Sequence, residues 1–506
     1  MRQTNQKDNI NARGGEREVK NRVCIAVMVI ASLCFAVSAM AVPPEAKVKP
    51  HGIAPGDGYS FVTAALSNVG IGTYAFLEGI GTDDDGDSIT AYAWVMVSSP
   101  SGSGATLDST GTPNQSFRTD EVGEYVVSLV VTAGGENSAP YEITINASTW
   151  CGIGNVGGQT PVYPQCGMLC HSEQNATWPA TGHATMFQRG IDGIVSSHYG
   201  EGCIECHTVG FDADSLAVNH GFDDVADSLG WVFPDTLIPG NFDSLCANYP
   251  ELAQLSNIQC ENCHGPGQNH GGTAGTVDWT YNEGVCGQCH DAPTHHMFSS
   301  QWQESKHSHS ADMGFVVSNT SCITCMTSGG FVDSIINGNP PVVAEFPEPI
   351  NCIACHDPHD ATNSHQLRLF GTVDLYGNLV NADISAVCMV CHNDQGAQVG
   401  ESVHHSQSEM FEGFGGYEYA GHNYPSAAHT SAVTEKCVHC HMAAVTDTLL
   451  PDSIENYLGN HTWSMVFIDD PDTFYNIYGC TECHGTLPNF DVNGTQTLIS
   501  TLLNDL

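Results

Sequence analysis

Pairs of cysteines separated by two or three residues recur nine times between residues 166 and 483. In eight pairs a histidine directly follows the second cysteine, and in the ninth a methionine takes that position. Neither disulfides nor structural zinc sites require a histidine at this fixed offset. We number the pairs in chain order as site 1 (Cys166, Cys170, His171), site 2 (Cys203, Cys206, His207), site 3 (Cys260, Cys263, His264), site 4 (Cys286, Cys289, His290), site 5 (Cys322, Cys325, Met326), site 6 (Cys352, Cys355, His356), site 7 (Cys388, Cys391, His392), site 8 (Cys437, Cys440, His441) and site 9 (Cys480, Cys483, His484).

The C-x-x-C-H pattern is typical of covalent haem c attachment. The two thiols form thioethers to one haem, and the adjacent histidine becomes the proximal ligand of its iron. The chain is therefore predicted to carry eight or nine haems. Site 5 leaves three alternatives open. Met326 binds the iron, or another residue binds it and leaves a coordination position open. In the third, the site is an electron-transfer haem site whose motif has diverged from the C-x-x-C-H sequence.

Histidines beyond the motifs are numerous enough to supply second axial ligands. Of 25 histidines, eight are proximal and His51 precedes the cysteine-rich region, which leaves sixteen. Adjacent histidines His295, His309, His365 and His404 are alternatives to the nine distal ligands that we expect. Those nine are His183, His198, His270, His296, His307, His359, His405, His429 and His461.

The N-terminus has the layout of a secretory signal peptide. Six basic residues precede an apolar run at 23–37, and Ala39-Met40-Ala41 offers a small-x-small cleavage pattern. We expect cleavage after Ala41, export to the periplasm or cell surface, and no stable membrane span afterwards. An uncleaved anchor is the alternative, for which the run is short.

The charge balance excludes several classes of partner. The net charge is −43, with 13 Lys and Arg against 56 Asp and Glu. Nucleic acids and anionic lipid surfaces need basic residues that this chain lacks. We expect redox partners with basic docking faces; a homo-oligomer or filament is left open.

Residues 60–147 contain no cysteine and read as short strands separated by turns. The run T-D-D-D-G-D-S-I-T-A-Y-A-W and the later D-E-V-G-E-Y-V-V-S-L-V-V-T resemble a PKD-type immunoglobulin-like module, which implies a spacer or adhesion unit. The acidic turn departs from the EF-hand pattern at Gly81, so we expect a solvated turn, with Ca²⁺ binding as the alternative.

The runs C-E-N-C-H-G-P-G, C-I-A-C-H-D-P-H, W-x-x-S-K-H and H-H-S-Q-S-E-M resemble exported multihaem cytochromes c. They are similar to the superfamily of ammonia-forming nitrite reductases and octahaem hydroxylamine oxidoreductases. The resemblance implies closely spaced haems in a domain of short helices and loops. Its catalytic members often use lysine at one altered site, where this chain has Met326.

The expected organisation is a signal peptide (1–41), a linker (42–59), a PKD-like β-sandwich (60–147), a second linker (148–165) and a haem-packed multihaem cytochrome c domain (166–506). The expected function is electron transfer along the haems, with no catalytic residue assigned. The alternative is an oxidoreductase acting on a small nitrogen or sulfur compound at site 5. Cys151 and Cys246 remain outside the motifs; we expect a disulfide between them, with two buried free thiols as the alternative.

Overall fold

The computed structural model describes residues 42–51, 65–109, 111–152, 166, 171–270, 277–291, 297–395, 405–414, 419–424, 427–445 and 456–505. The expected signal peptide, Cys170, His295, His296 and His404 lie outside these residues. In this part of the chain no helix is both long and apolar enough to cross a membrane.

Among the residues that the structure describes, eight strands form two sheets at the N-terminal end. The first sheet has the order β1-β3-β5, and the second has the order β2-β8-β6-β4, with β7 paired to β6. All pairings are antiparallel except that of β2 with β8. The strands are β1 (Glu45–Pro50), β2 (Asn68–Gly70), β3 (Tyr74–Thr82), β4 (Ile89–Ser98), β5 (Asn114–Arg118), β6 (Gly123–Ala133), β7 (Glu136–Asn137) and β8 (Tyr141–Ser148).

An apolar core lies between the two sheets. Leu77 and Phe117 of the first sheet and Leu129 and Ile145 of the second are fully buried in it. Alternate residues of a strand point to opposite faces, so each strand contributes every second side chain to this core. At the start of β6, the hydroxyl of buried Tyr125 accepts the backbone N–H groups of residues 120 and 121, at 3.0 and 2.8 Å. This arrangement resembles the tyrosine corner of immunoglobulin-like sandwiches.

The stretch 42–59, expected to be a linker, contains strand β1, so that expectation is wrong for Glu45–Pro50. This strand pairs with β3 along its whole length. The residues alternate, with Ala46 and Val48 buried in the sandwich core and lysines facing outward. The strand was missed because prolines and glycines flank it, and the segment was judged by its overall composition and not by its alternating pattern.

Where the structure describes it, the cysteine-rich region consists of short helices joined by loops, with two small hairpins. Its helices are α1 (Ser172–Thr177), α2 (Met186–Ile191), α3 (Ile204–His207), α4 (Phe222–Leu229), α5 (Asn241–Asn248), α6 (Pro250–Ala253), α7 (Cys260–His264), α8 (Gly284–His290), α9 (Phe298–Gln303), α10 (Gly314–Val317), α11 (Ile323–Met326), α12 (Ser328–Phe331), α13 (Cys352–Cys355), α14 (Ala386–Met389), α15 (Gln407–Glu412), α16 (Ala428–Ala432), α17 (Cys437–His441), α18 (Thr481–His484) and α19 (Thr495–Asn504). The hairpins are β9 (Gly371–Leu375) with β10 (Asn378–Asp383), and β11 (Val466–Asp469) with β12 (Asp472–Tyr475).

The described residues of the cysteine-rich region contain one conventional apolar core, around α2, α4 and α5. Phe187, Phe222, Phe242 and Leu252 are fully buried there, and Trp150, just after β8, completes the cluster. The clusters farther along the chain each contain five buried residues or fewer. The described chain around sites 5 to 9 therefore has little apolar core of its own.

Candidate haem sites

Each described motif lies on, or directly beside, a single turn of helix. Sites 3 and 8 coincide with α7 and α17, and the cysteines of site 6 begin and end α13. Residues three apart on a helix lie on the same face. The local fold therefore directs both thiols of a C-x-x-C pair to one side, with the histidine at the end of the turn.

Several proximal histidines are oriented by backbone carbonyl groups. Nδ1 of His264 lies 2.8 Å from the carbonyl oxygen of Asp278, and Nδ1 of His356 lies 2.8 Å from that of His365. His441 makes the same contact with Trp463 at 3.1 Å. An imidazole that donates from Nδ1 keeps the Nε2 lone pair for a metal, which is the usual outer-shell arrangement of ligating histidines.

Six motif histidines face a second histidine across a gap. The ring centroids are 5.9 to 6.5 Å apart in the pairs His171–His270 (site 1), His264–His359 (site 3), His183–His290 (site 4), His356–His461 (site 6), His307–His392 (site 7) and His429–His484 (site 9).

This spacing suits two imidazoles that bind opposite sides of one metal ion. Metal–nitrogen bonds of about 2.0–2.1 Å, with about 1.1 Å from each nitrogen to its ring centre, place the centroids about 6.3 Å apart. A tetrahedral ion would bring the rings closer. In the described part of the chain, no cluster of three or more His, Cys, Asp or Glu is placed to hold a free metal ion. The spacing of the facing imidazoles therefore fits a haem iron bound from both sides.

Burial keeps several of these imidazoles neutral. It lowers the pKa of His307 and of His461 to about 4, with the neighbouring motif histidine contributing in the same direction. The pKa of His183 is also lowered by burial. A neutral imidazole has the free lone pair that a metal requires.

The structure places the remaining expected distal ligands differently. His405 faces His392 at 6.2 Å, so site 7 has two facing histidines. His198 is exposed on the segment before site 2. Tyr199, which sequence reasoning missed, stacks on His207 with centroids 5.5 Å apart and its hydroxyl 3.3 Å from Nδ1. A spacing pattern carries no signal for such a tertiary contact.

Cysteines of different sites also meet. The thiols in contact are Cys166 with Cys260, Cys206 with Cys289, Cys286 with Cys352, and Cys325 with Cys391. Each pair joins two sites that are not adjacent in sequence. Each of these thiols would bond to its own haem, so the contacts would hold the attachment points of two haems close together.

A cleft with an empty volume of about 430 Å³ lies between sites 2, 3 and 4. Its lining includes Cys206 of site 2, Asn262 of site 3 and Cys289 of site 4. Gln288 of site 4 donates to the carbonyl of Asn262 at 2.9 Å, which ties sites 3 and 4 together.

The expected disulfide between Cys151 and Cys246 is wrong, because both are buried free thiols. Cys246 packs in the apolar core around α5. The Cys151 thiol lies 3.4 Å from the carboxylate of Glu261, a fully buried side chain in the spacer of site 3. Burial raises the pKa of both thiols, that of Cys246 to about 11. The disulfide was expected because these two cysteines remained outside the motifs. The sequence does not show that they lie in different surroundings.

Comparison with known proteins identifies one part of the cysteine-rich region. Residues 346–397, which contain sites 6 and 7, match the family of the doubled CXXCH motif. No curated protein matches the chain. The solution structure of the PKD domain from the KIAA 1837 protein shares 18% identity and is similar over 18% of this chain and 88% of its own length, with a TM-score of 0.14. The doubled motif is that of multihaem c-type cytochromes, and the CXXCH motifs indicate covalently bound haem c.

Proposed function

We propose that this chain is an exported electron-transfer cytochrome with nine covalently attached haems, most of them bound by two histidines. The observation that carries the proposal is the set of six facing histidine pairs at sites 1, 3, 4, 6, 7 and 9. Haem supplies one-electron chemistry when bound, and the protein positions it and sets its potential. Histidines on both sides leave no coordination position for a substrate, which favours transfer over catalysis.

Contacts between the sites support a continuous path. Site 1 touches site 3 and site 4 touches site 6 through their thiols. Sites 3 and 4 share the Gln288–Asn262 hydrogen bond, and sites 6 and 7 share an apolar cluster that includes Ala354 and Cys391.

The last two sites continue this path. Cys437 of site 8 packs against the cluster that contains Met389 of site 7. His439 of site 8 lies 2.8 Å from the carbonyl of Gly479, beside site 9. We propose the order 1–3–4–6–7–8–9 for this path.

The proposed setting follows from sequence and charge. We place the protein in the periplasm or at the cell surface, with basic redox partners and no nucleic acid or membrane partner. Assignment of the sandwich to the PKD type is supported by the corner at Tyr125. The relationship to the nitrite reductase and hydroxylamine oxidoreductase superfamily rests on the sequence runs alone.

Haem counting and EPR spectroscopy test the proposal. A pyridine haemochrome assay on the purified protein is expected to give nine haems per chain, and the ferric protein is expected to show mainly low-spin signals. Eight haems would mean that site 5 is empty. A predominantly high-spin spectrum would contradict the electron-transfer proposal.

Site 5 supports a second candidate function, oxidation or reduction of a small nitrogen or sulfur compound. Met326 replaces the proximal histidine, and most of residues 312–321 before the motif are exposed. Tyr376, at the exposed tip of the β9–β10 hairpin, lies near Cys325. A high-spin signal that changes with nitrite or hydroxylamine, and that is lost in Met326→His, would favour this function.

A further inference from the structure

The β-sandwich makes direct contact with the loop that carries the proximal histidine of site 3. The side-chain amide of Asn68, the first residue of β2, donates to the carbonyl of Pro266 at 2.9 Å and to that of His264 at 3.3 Å. Asn68 is 1% exposed, and its bond to Pro266 is buried. These contacts join the sandwich to residues nearly 200 positions later in the chain.

Asp278 connects the sandwich to the imidazole of His264. Its carboxylate accepts the backbone N–H of Ser67 at 3.0 Å and the Ser67 hydroxyl at 2.6 Å. Its backbone carbonyl accepts the Nδ1 hydrogen of His264 at 2.8 Å. Ser67, just before β2, thus holds Asp278 in place, and the carbonyl of Asp278 orients the proximal ligand His264.

Close packing leaves this junction little freedom. Gly265 has a φ of +76°, and a Cβ there would lie 2.4 Å from the Asn68 carbonyl oxygen. Ala65 and Leu66, just before β2, form an apolar cluster with Val285, and Cys263 of site 3 packs against it. The imidazole planes of His264 and His359 are within 12° of parallel, a defined orientation that movement of the loop would change.

We propose that the sandwich is a positioning element for site 3, in which Ser67 and Asn68 set the orientation of the His264 imidazole and the reduction potential of the haem bound there. This rests on the proposed function in one respect, that site 3 holds a haem. Outer-shell partners of ligating histidines fix the ring and raise its basicity, and a more basic imidazole favours ferric iron. Loss of the support therefore raises the potential of that haem.

The test compares the redox titrations and EPR spectra of the haem-loaded wild type and of the double variant Ser67→Ala/Asn68→Ala, which changes no charge. We expect the midpoint potential of one haem to rise and its g-values to change, with the other haem signals unaltered. Ser67→Thr keeps the hydroxyl and is expected to behave as wild type. Should the double variant lose haem or fail to fold, Ser67→Ala alone is expected to give a smaller shift in the same direction.

Tyr141→Phe is the matched control, because it removes a hydrogen bond from the sandwich to Glu345 of the cysteine-rich region without changing a charge. We expect no haem signal to shift in this control. Unchanged signals in both alanine variants, or an equal shift in Tyr141→Phe, would overturn the positioning role. Absence of low-spin haem from the wild type would instead overturn the proposed function.

Discussion

Individual histidines opposite the motifs provide the clearest residue-scale prediction. His461 faces His356 of site 6 at 6.3 Å and packs against Phe298 at 4.9 Å. His461→Ala removes the second axial ligand, so we expect one haem per chain to become high-spin, measured by EPR of the ferric protein. His422→Ala changes an exposed histidine and is expected to leave the spectrum unchanged. The axial assignment at site 6 would be contradicted by a fully low-spin His461→Ala spectrum.

Asp223, in the first turn of α4, provides a pH-dependent prediction. Burial, together with the charge of Asp224, raises its pKa to about 7. A carboxyl whose pKa is higher in the folded than in the unfolded state loses stability as pH rises between the two values, and the penalty is complete above the folded pKa. Asp223→Asn is therefore expected to raise the Tm at pH 8 but not at pH 4, by the equivalent of about 1 kcal/mol after solvent screening.

Thermal melts at both pH values check this prediction for Asp223. Asp227→Asn is the control, because Asp227 lies on the same helix and is exposed. An equal change in Tm for both variants at pH 8 would show that net charge, and not the buried carboxyl, is responsible.

At the scale of elements, the corner at the start of β6 is expected to contribute measurably to the sandwich. Tyr125→Phe would leave the N–H groups of residues 120 and 121 without the hydroxyl that accepts them. We expect a loss of about 0.5–1.5 kcal/mol, the net contribution of a hydrogen bond that is only partly shielded from water. Calorimetry of the sandwich transition measures it, with Tyr92→Phe on β4 as the control. Equal effects of the two substitutions would contradict the role of the corner.

The elements also show which features could be predicted from sequence. The attachment turns follow from local spacing, and seven of the nine expected distal histidines lie opposite a motif histidine. Strand β1 was missed because its six residues lie among prolines and glycines. The link from Ser67 through Asp278 to His264 joins distant segments, and nothing in local pattern predicts it.

At the scale of the whole molecule, the two halves are expected to depend on haem differently. The sandwich has a continuous apolar core, whereas the clusters around sites 5 to 9 are small. Covalent attachment also restricts the unfolded chain. We expect limited proteolysis of haem-free protein to degrade the region around sites 5 to 9 and to spare a fragment containing the sandwich and the apolar core around α2, α4 and α5. A compact, protease-resistant haem-free cysteine-rich region would contradict this.

The ion pairs between the sandwich and the cysteine-rich region determine how the protein responds to ionic strength. Only seven basic residues follow residue 41, and two of them, Lys49 and Arg118, pair with Glu348 and Asp214 of the cysteine-rich region. Salt screens these few attractions, but it also screens repulsion among some fifty carboxylates, which are far more numerous. The contact between the sandwich and the cysteine-rich region therefore depends mainly on hydrogen bonds and apolar contacts. We expect high salt to stabilise the whole protein, whereas it would destabilise a protein held together mainly by surface ion pairs.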